Sequence, residues 1–462
     1  MLGRQKAHAR LFYAFDLETH IPSDHLVRGI DRFLDLNDLH DEIRAFYSHT
    51  GRPSIDPELM IRMLVIGYVM GLRSERRLCQ EVHLNLAYRW FCRLGLEDKV
   101  PDHSSFLKLR HGKFRDSDVF RRVFERVVAQ CIARGLVGGK GFAVDASLIG
   151  ADVQKQSSTS QDKWDASTID PASAPRAVRE YLDTLDDEAF GAATPVQPKF
   201  TAHADPASQW TAARKGPAFF AYSDNYLIDT DHGIIMDVEA TRSVRQAEAG
   251  STLTMLDRTA KRFDIRPDWL AADTAYGSEN NLVEIVLKRQ ILPFIPVIDK
   301  GERTDGTLSR SDLIWDEEND RYICPKGHDL CHRRRNYSNP GRFSTEMKPR
   351  RYRASKADCQ RCSLKAQCCP NSEMRSLQRD KFEIVRDFAP SCMSSAFNKI
   401  ASKRRKKVEM LFVHLKCILG LSRLRLRGPL GAKGEFTLAA IAQNLRKLTK
   451  LFPTTAPSTP IG

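Results

Sequence analysis

The chain has 462 residues, 42% of them hydrophobic, which suffices for two to four domains with ordinary buried cores. A formal charge of +14 and a pI near 9.3 call for an acidic partner, nucleic acid most simply, although a ribosomal or membrane-surface protein is also basic. No apolar run approaches the roughly 20 residues of a membrane span, Met1-Leu2-Gly3-Arg4 leads into no signal-peptide core, and the 11 cysteines cluster in a way unlike a disulfide scaffold, so a cytoplasmic protein is expected.

Residues 20–135 read as compact and helical. Ser23 can cap a helix carrying Leu26, Ile30, Phe33 and Leu34, and Asp56-Pro57 opens another through Leu59, Met63, Leu64 and Ile66 that Gly71 can end. Ser74 caps a third, with Arg76 and Arg77 in its first turn, where basic residues oppose the helix dipole. Phosphate contact is one reason to keep them there. Asp102 starts a short helix with Lys108 and Arg110, and the pattern fits a helix-turn-helix reader of DNA as well as an ordinary all-α domain. Cys79, Cys92, Cys131 and Cys417 lie in apolar, helix-like surroundings as small core residues.

Three acids then stand out. Asp145 interrupts the apolar run Gly141-Phe142-Ala143-Val144-Asp145-Ala146-Ser147-Leu148-Ile149, where a carboxylate costs several kcal/mol unless it is paired or holds a metal. The segment Ala151–Pro217, rich in Ser, Ala, Asp, Gln and Pro, reads as a partly disordered insertion with one short helix around Val178–Leu185. Phe219–Ile228 and Gly233–Glu239 read as a hairpin extending the Asp145 strand. A helix over 246–263 follows. Asp273 then closes the run Leu270-Ala271-Ala272, either for chemistry or as the cap of the next helix, which runs from Ser278 to Lys288 before strand-like Ile291–Val297.

Glu409 is the third acid. It sits in Lys403-Arg404-Arg405-Lys406-Lys407-Val408-Glu409, on a helix that brings Arg405, Glu409 and Lys416 within roughly 40° of one another at about 100° per residue. Val408, Leu411, Phe412, Leu415 and Leu419 make the adjoining apolar face. By itself this helix better suits a surface element whose acid pairs with Arg405, a preference that the Asp145 and Asp273 stretches reverse. From Ser395 to Lys450 there are 14 Lys and Arg against two acids, Glu409 and Glu435, so most of the net charge lies at this end. Leu421–Arg427 alternates Leu with Arg423, Arg425 and Arg427, as in a strand with one basic face. A C-terminal apolar helix over Phe436–Leu448 follows.

Taken together, the Asp145, Asp273 and Glu409 contexts resemble the DDE transposases of bacterial insertion sequences. In the four/five superfamily the third acid lies in the pattern Tyr, two residues, Arg, three residues, Glu, six residues, Lys. Arg405, Glu409 and Lys416 match it, while Ser402 stands at the Tyr position. The resemblance covers nearly the whole chain and is closest to the eleven-eighty-two group. Relatives often carry Lys and His where Ser223 and Asn225 stand here.

The resemblance implies an α/β fold: a ribonuclease-H-like mixed-sheet catalytic core with an all-α N-terminal domain and a cysteine-rich insertion. The expected parts are a helical DNA-binding domain at 1–137 and the first part of the core at 138–300 with its polar insertion at 151–217. A cysteine-rich insertion at 301–394, the core completion at 395–452 and a disordered tail at 453–462 follow. In that insertion Cys324, Cys359, Cys362 and Cys368 are the preferred set for a structural Zn²⁺, with Cys331, Cys369 and His328 as substitutes and reduced, metal-free thiols as the other reading.

The implied chemistry is two Mg²⁺ (or Mn²⁺) ions held by Asp145, Asp273 and Glu409, with Asp145 bridging. Lys416 and Arg405 would bind phosphate, helped by Arg76, Arg77, Lys108, Arg110, Arg423, Arg425 and Arg427. The implied partners are double-stranded DNA, both transposon ends and target, and further copies of the chain as a homodimer or higher oligomer on DNA, close to the bacterial nucleoid. Two rival functions fit the same residues: a DNA-binding regulator or decayed transposase with structural acids, and a ribonuclease-H-like nuclease that cuts without joining.

Overall fold

In a computed structural model the described residues are 15–47, 50, 54–187, 189–190, 198–212, 216–298, 306–310, 312–332, 350–379 and 383–453. The tail expected at 453–462 lies outside them from residue 454 on. The chain divides into two compact units, Met1–Asp268 with Ser402–Gly462, and Trp269–Ala401.

The first unit starts with helices α1 (Leu26–Phe33), α2 (Pro57–Val69), α3 (Glu75–Leu84), α4 (His103–His111) and α5 (Val119–Ala133). Their starts follow from local chemistry. The Asp56 carboxylate accepts the Glu58 amide at 2.7 Å, with Pro57 in the first turn where its missing N–H costs nothing. Ser74 caps α3, and Asp102 caps α4 by accepting the Ser104 amide at 2.8 Å. Helix α1 departs from expectation: His25, not Ser23, caps it by accepting the Val27 amide. Gly71 ends α2 at φ +69°, a conformation that favours glycine.

The sheet of this unit is built on β5 (Ala218–Asp229), flanked on one side by antiparallel β1 (Gly141–Gly150). The other side of β5 takes β4 (Gln209–Ala212) against its first residues and β6 (Ile234–Arg242) against the rest, both antiparallel. The segment expected to be a partly disordered insertion is largely folded where it is described. It contains the hairpin-like pair β2 (Ser158–Ser160) and β3 (Phe200–Ala202), helix α6 (Arg176–Asp183) and β4 itself. Its polar composition misled because buried partners satisfy the polar groups: Asp205 accepts the Tyr222 hydroxyl at 2.6 Å, and Glu180 accepts Arg115 at 2.5 Å.

Helix α7 (Arg245–Phe263) follows β6. The chain returns to this unit at Ser402, within α8 (Ala396–Cys417), and α9 (Pro429–Leu451) follows. Helix α9 is buried almost all round, from Phe436 through Ile441 to Leu448, as a helix in the middle of a core must be. It packs on β6, α1, α2 and α5, and the Asn444 amide exchanges two hydrogen bonds with the Ile235 backbone, 3.0 and 2.8 Å. One apolar helix thus joins the N-terminal helices to the sheet in a single core. Leu421–Arg427 is not a strand. It is an extended connection with one bridge, Gly150 to Arg423, yet leucines 421, 424 and 426 are buried and arginines 423, 425 and 427 exposed, so the period-two reading of its faces survives. Cys79, Cys92 and Cys131 are core residues as expected, whereas Cys417 is exposed at the end of α8.

The second unit holds the parallel pair β7 (Trp269–Ala271) and β8 (Leu292–Phe294), joined through a short helix Glu279–Val283 and a π turn Glu284–Lys288. It also holds a five-stranded antiparallel sheet in the order β13-β12-β11-β10-β9 (Ser376–Arg379, Arg350–Arg353, Asp329–His332, Arg321–Ile323, Ile314–Asp316). Its core is small: Leu313, Tyr322, Leu330, Tyr352, Ala354 and Leu377, with Trp315, Cys324 and Cys359 packed against it.

Candidate active site

Asp145 lies in the middle of β1, at the point where the strand changes from fully to partly buried. Its carboxylate accepts the Ala146 amide at 2.8 Å, and its side chain is 20% exposed. Glu409 is on α8, and the two acids are brought together by Arg405. That guanidinium lies 3.0 Å from Glu409, one turn away on the same helix, and 3.8 Å from Asp145. Two carboxylates therefore share one cation, and the Glu409 side chain remains 48% exposed.

The rest of the basic run is divided among three tasks. Arg404 pairs with Asp231 at 2.8 Å, and the Lys407 ammonium donates to the Thr230 and Asp231 carbonyls at 2.6 Å, so both tie α8 to the β5–β6 turn. Arg405 serves the acids, and Lys403 and Lys406 are exposed. Phe412 stacks on Tyr226 of β5, with ring centroids 4.8 Å apart and an interplanar angle of 17°. This fixes the face that α8 turns to the sheet. Lys416, one turn later, is half-buried rather than on an open stripe.

Asp273 belongs to the second unit. It caps a 3-10 turn, Thr274–Tyr276, by accepting the Ala275 amide at 2.8 Å, while the cap position of the following helix, for which the sequence offered Asp273, is taken by Ser278. The turn is tight because a Cβ on Gly277 would come 1.9 Å from the Pro296 carbonyl oxygen, a position open only to glycine.

Among the expected DNA contacts, Arg76, Arg77 and Lys108 are exposed, with Arg77 3.6 Å from Glu81. Arg423, Arg425 and Arg427 are exposed too, the first and last sharing Asp152 at 3.4 and 3.1 Å. Arg110 is a correction. It is 4% exposed, pairs with Glu75 and donates to the Tyr68 hydroxyl at 3.0 Å, so it faces the core and not a phosphate.

Arg110 is part of a buried cluster that sequence reasoning missed. Glu435 of α9, fully buried, is bonded by Arg73 and lies 3.8 Å from Arg110, and it accepts Tyr68 at 3.1 Å and the Arg425 and Leu426 amides at 2.7 and 2.6 Å. Burial pushes its carboxyl up, but the two guanidiniums and two amides outweigh this and hold it below the ordinary range. The available signal was an acid opening the apolar run of α9. A second missed group joins Asp237 of β6 to Arg121 and Arg258.

In the second unit the Cys324 thiol sits in a tight turn with Gly327 at φ +80°. Its sulfur accepts the His328 amide at 3.3 Å, as the Cys362 sulfur accepts that of Leu364 at 3.4 Å. Burial raises the Cys368 thiol, and the neighbouring Cys359 and Cys324 add to the rise. Cys331 is exposed on β11. Among the described residues, no three His, Cys, Asp or Glu side chains stand arranged to hold a metal ion.

Comparison with known families gives two matches. Residues 15–112 match the transposase domain family DUF772, and residues 323–449, which include Glu409 and Lys416, match a transposase DDE domain family. Asp145 and Asp273 fall outside both segments. No curated protein matches the chain. Among solved structures, a piggyBac transposase synaptic complex with hairpin DNA is similar at 11% identity and a TM-score of 0.33, covering 95% of this chain and 81% of that one; so loose a likeness carries no argument. With one transposase domain matched before β1 and another matched around the Glu409 helix, the chain is a DDE transposase of an insertion sequence.

Proposed function

We propose that this transposase binds the terminal repeats of its element and cuts and joins DNA with Asp145, Asp273 and Glu409 as its acids. The observation that carries the reading is the Arg405 guanidinium lying between Asp145 and Glu409. Two carboxylates from separate elements converge on a site that already draws a cation, and their donors are the hard oxygens that Mg²⁺ or Mn²⁺ prefers. Asp145 and Glu409 would hold such ions, with Asp273 as third acid on the strength of the sequence resemblance. When bound, two such ions strengthen a water nucleophile and neutralise the leaving oxygen.

The protein's own contribution is positional. The Phe412–Tyr226 stack and the Arg404 and Lys407 ties hold α8 against the sheet, so Glu409 and Arg405 meet Asp145 without being rearranged by substrate. Arg405 is suited to orient a phosphate once the acids are otherwise compensated. Lys403, Lys406, Arg423, Arg425 and Arg427 offer exposed charge for the DNA backbone, and Arg76, Arg77 and Lys108 do so on the N-terminal helices. The succession of β1, the β5–β6 hairpin, α7 and the parallel β7–β8 pair supports a ribonuclease-H-like core. We assign the chain to the eleven-eighty-two group, acting as a dimer or larger assembly on DNA in the bacterial cytoplasm. No helix among the described residues is long and apolar enough to cross a membrane.

The test is incubation with DNA carrying the element's own ends, with and without Mg²⁺. Binding, metal-dependent cleavage and joining to a target are expected; cleavage without joining would leave the nuclease reading, and binding without cleavage the regulator.

The cysteine segment is proposed to bind one Zn²⁺ through Cys324, Cys359, Cys362 and Cys368, supported by the N–H···S bonds at Cys324 and Cys362, which suit thiolates. Protein purified without added zinc should contain about one Zn²⁺ per chain. A content near zero, with Cys359→Ser folding as the parent does, would remove the metal.

A further inference from the structure

The face of β5 that carries Tyr226 also carries Asp224. In the β1–β5 register Asp145 is opposite Tyr226 and Ser147 opposite Asp224. Asp145 and Asp224 are therefore diagonal neighbours on one face of the sheet, about 7–8 Å apart by ordinary antiparallel geometry. Asp224 is completely buried, and neither carboxyl oxygen makes a hydrogen bond. The Tyr226 hydroxyl lies near enough to favour the carboxylate, but it too lacks a hydrogen bond of good geometry. A buried acid left in this state costs stability, and nothing in the packing of β5 calls for one.

Helix α8 supplies the counter-charge. Contacts run in the same order along the helix and down β5, Lys407 with the Thr230 carbonyl and then Phe412 with Tyr226, so that by position Lys416 comes next, toward Asp224. The two contacts fix the rotation and height of α8, and Lys416 lies four residues beyond Phe412 along the same side. Burial pushes the Asp224 carboxyl well up and the Lys416 ammonium down, and in each case the charge of the other opposes the shift. The pair is attracted through space without a hydrogen bond.

We propose that Asp224 is a positioning residue whose buried carboxyl holds the Lys416 ammonium on the Asp145 face of the sheet, where it meets the phosphate beside the bond to be cut. The phosphate half of this statement rests on the proposed function; the hold on Lys416 does not. It also accounts for the acid, since a charge that anchors a lysine beside the site is retained despite its cost.

The test uses Asp224→Asn in the full chain, which keeps shape and removes charge, so folding by circular dichroism and melting should match the parent or improve. If Asn prevents folding, Asp224→Val, suited to a buried strand, takes its place. Without DNA, lysines are labelled with limiting acetic anhydride and read by mass spectrometry. Lys416 should react at least about threefold faster in the variant than in the parent, as an amine that has lost its facing charge is more often neutral, while Lys403 and Lys406 keep their rates. An unchanged Lys416 rate overturns the proposal. On end DNA with Mg²⁺, Asp224→Asn should lower kcat about tenfold with binding unchanged, and Lys416→Met added to it should cost little more. Losses that multiply overturn it as well. A parent protein that cuts no DNA would overturn the proposed function instead, and the labelling alone then decides for or against Asp224.

Discussion

Two buried-to-surface acid clusters lie on the C-terminal helices, and they are built in opposite ways. Around Glu435 every carboxylate oxygen is used: one takes two backbone amides, the other Arg73 and Tyr68, with Arg110 beside them, all out of solvent. Around Glu409 and Asp145 a single guanidinium is shared, and Glu409 stands half in water. The first arrangement leaves no capacity for a ligand. The second leaves Glu409 facing out, on a helix otherwise rich in positive charge. An acid whose oxygens are saturated by the protein is structural, whereas Glu409, half exposed on a basic helix, keeps a side open to its surroundings.

The largest expected effect tests the open cluster. Asp145→Asn, Glu409→Gln and Asp273→Asn should each lower Mg²⁺-dependent cleavage by roughly 10³-fold or more while leaving end binding intact, since only the charge that holds the ions is removed. A gel comparing nicking with binding reads both. Cleavage persisting in a purified variant removes that residue from the catalytic set.

The closed cluster should respond in stability instead. Glu435→Ala leaves Arg73 buried without its acid and Arg110 with Glu75 alone, and should cost about 3 kcal/mol in urea unfolding. Its pH dependence has a defined sign. The Glu435 carboxyl lies below its ordinary value in the folded protein, so its stabilising contribution is full above the unfolded-state value and is lost as pH falls through the folded one. Glu435→Gln should lack this part of the acid sensitivity, and an acid-unfolding profile matching the parent's would count against the cluster.

Two neighbours on α4 sharpen the contrast at a smaller scale. Arg110→Ala should lower stability by about 1–3 kcal/mol, because it strips partners from Glu75, Tyr68 and Glu435. Lys108→Ala should leave melting unchanged and reduce the salt dependence of DNA binding by about one phosphate contact. Equal behaviour of the two would show that their difference in burial does not matter in solution.

Several helix and strand boundaries were legible because they are local. The Asp56-Pro57 start, the Asp102 cap, the β5–β6 hairpin and the Glu409 helix all follow from side chains acting on their own backbone or from apolar spacing. Segment 151–217 was misread because its polar groups are satisfied by partners distant in sequence, and composition carries no record of those. Arg110 was misplaced for the same reason: a helical arginine looks alike whether its guanidinium meets water or Glu75.

By itself the sequence determined which residues could do chemistry: an acid in an apolar strand, an acid in a basic helix, and a spacing of Arg405, Glu409 and Lys416 that one helical face imposes. Only the tertiary structure decided which charges remain available. It turned α8 by stacking Phe412 on Tyr226, set Arg405 between Asp145 and Glu409, spent Arg404 and Lys407 on the β5–β6 turn, and buried Arg73, Arg110 and Glu435 together. The physical reason is that a residue type sets what a charge can bind, whereas burial and the partners brought from elsewhere in the chain set whether it is still free to bind it.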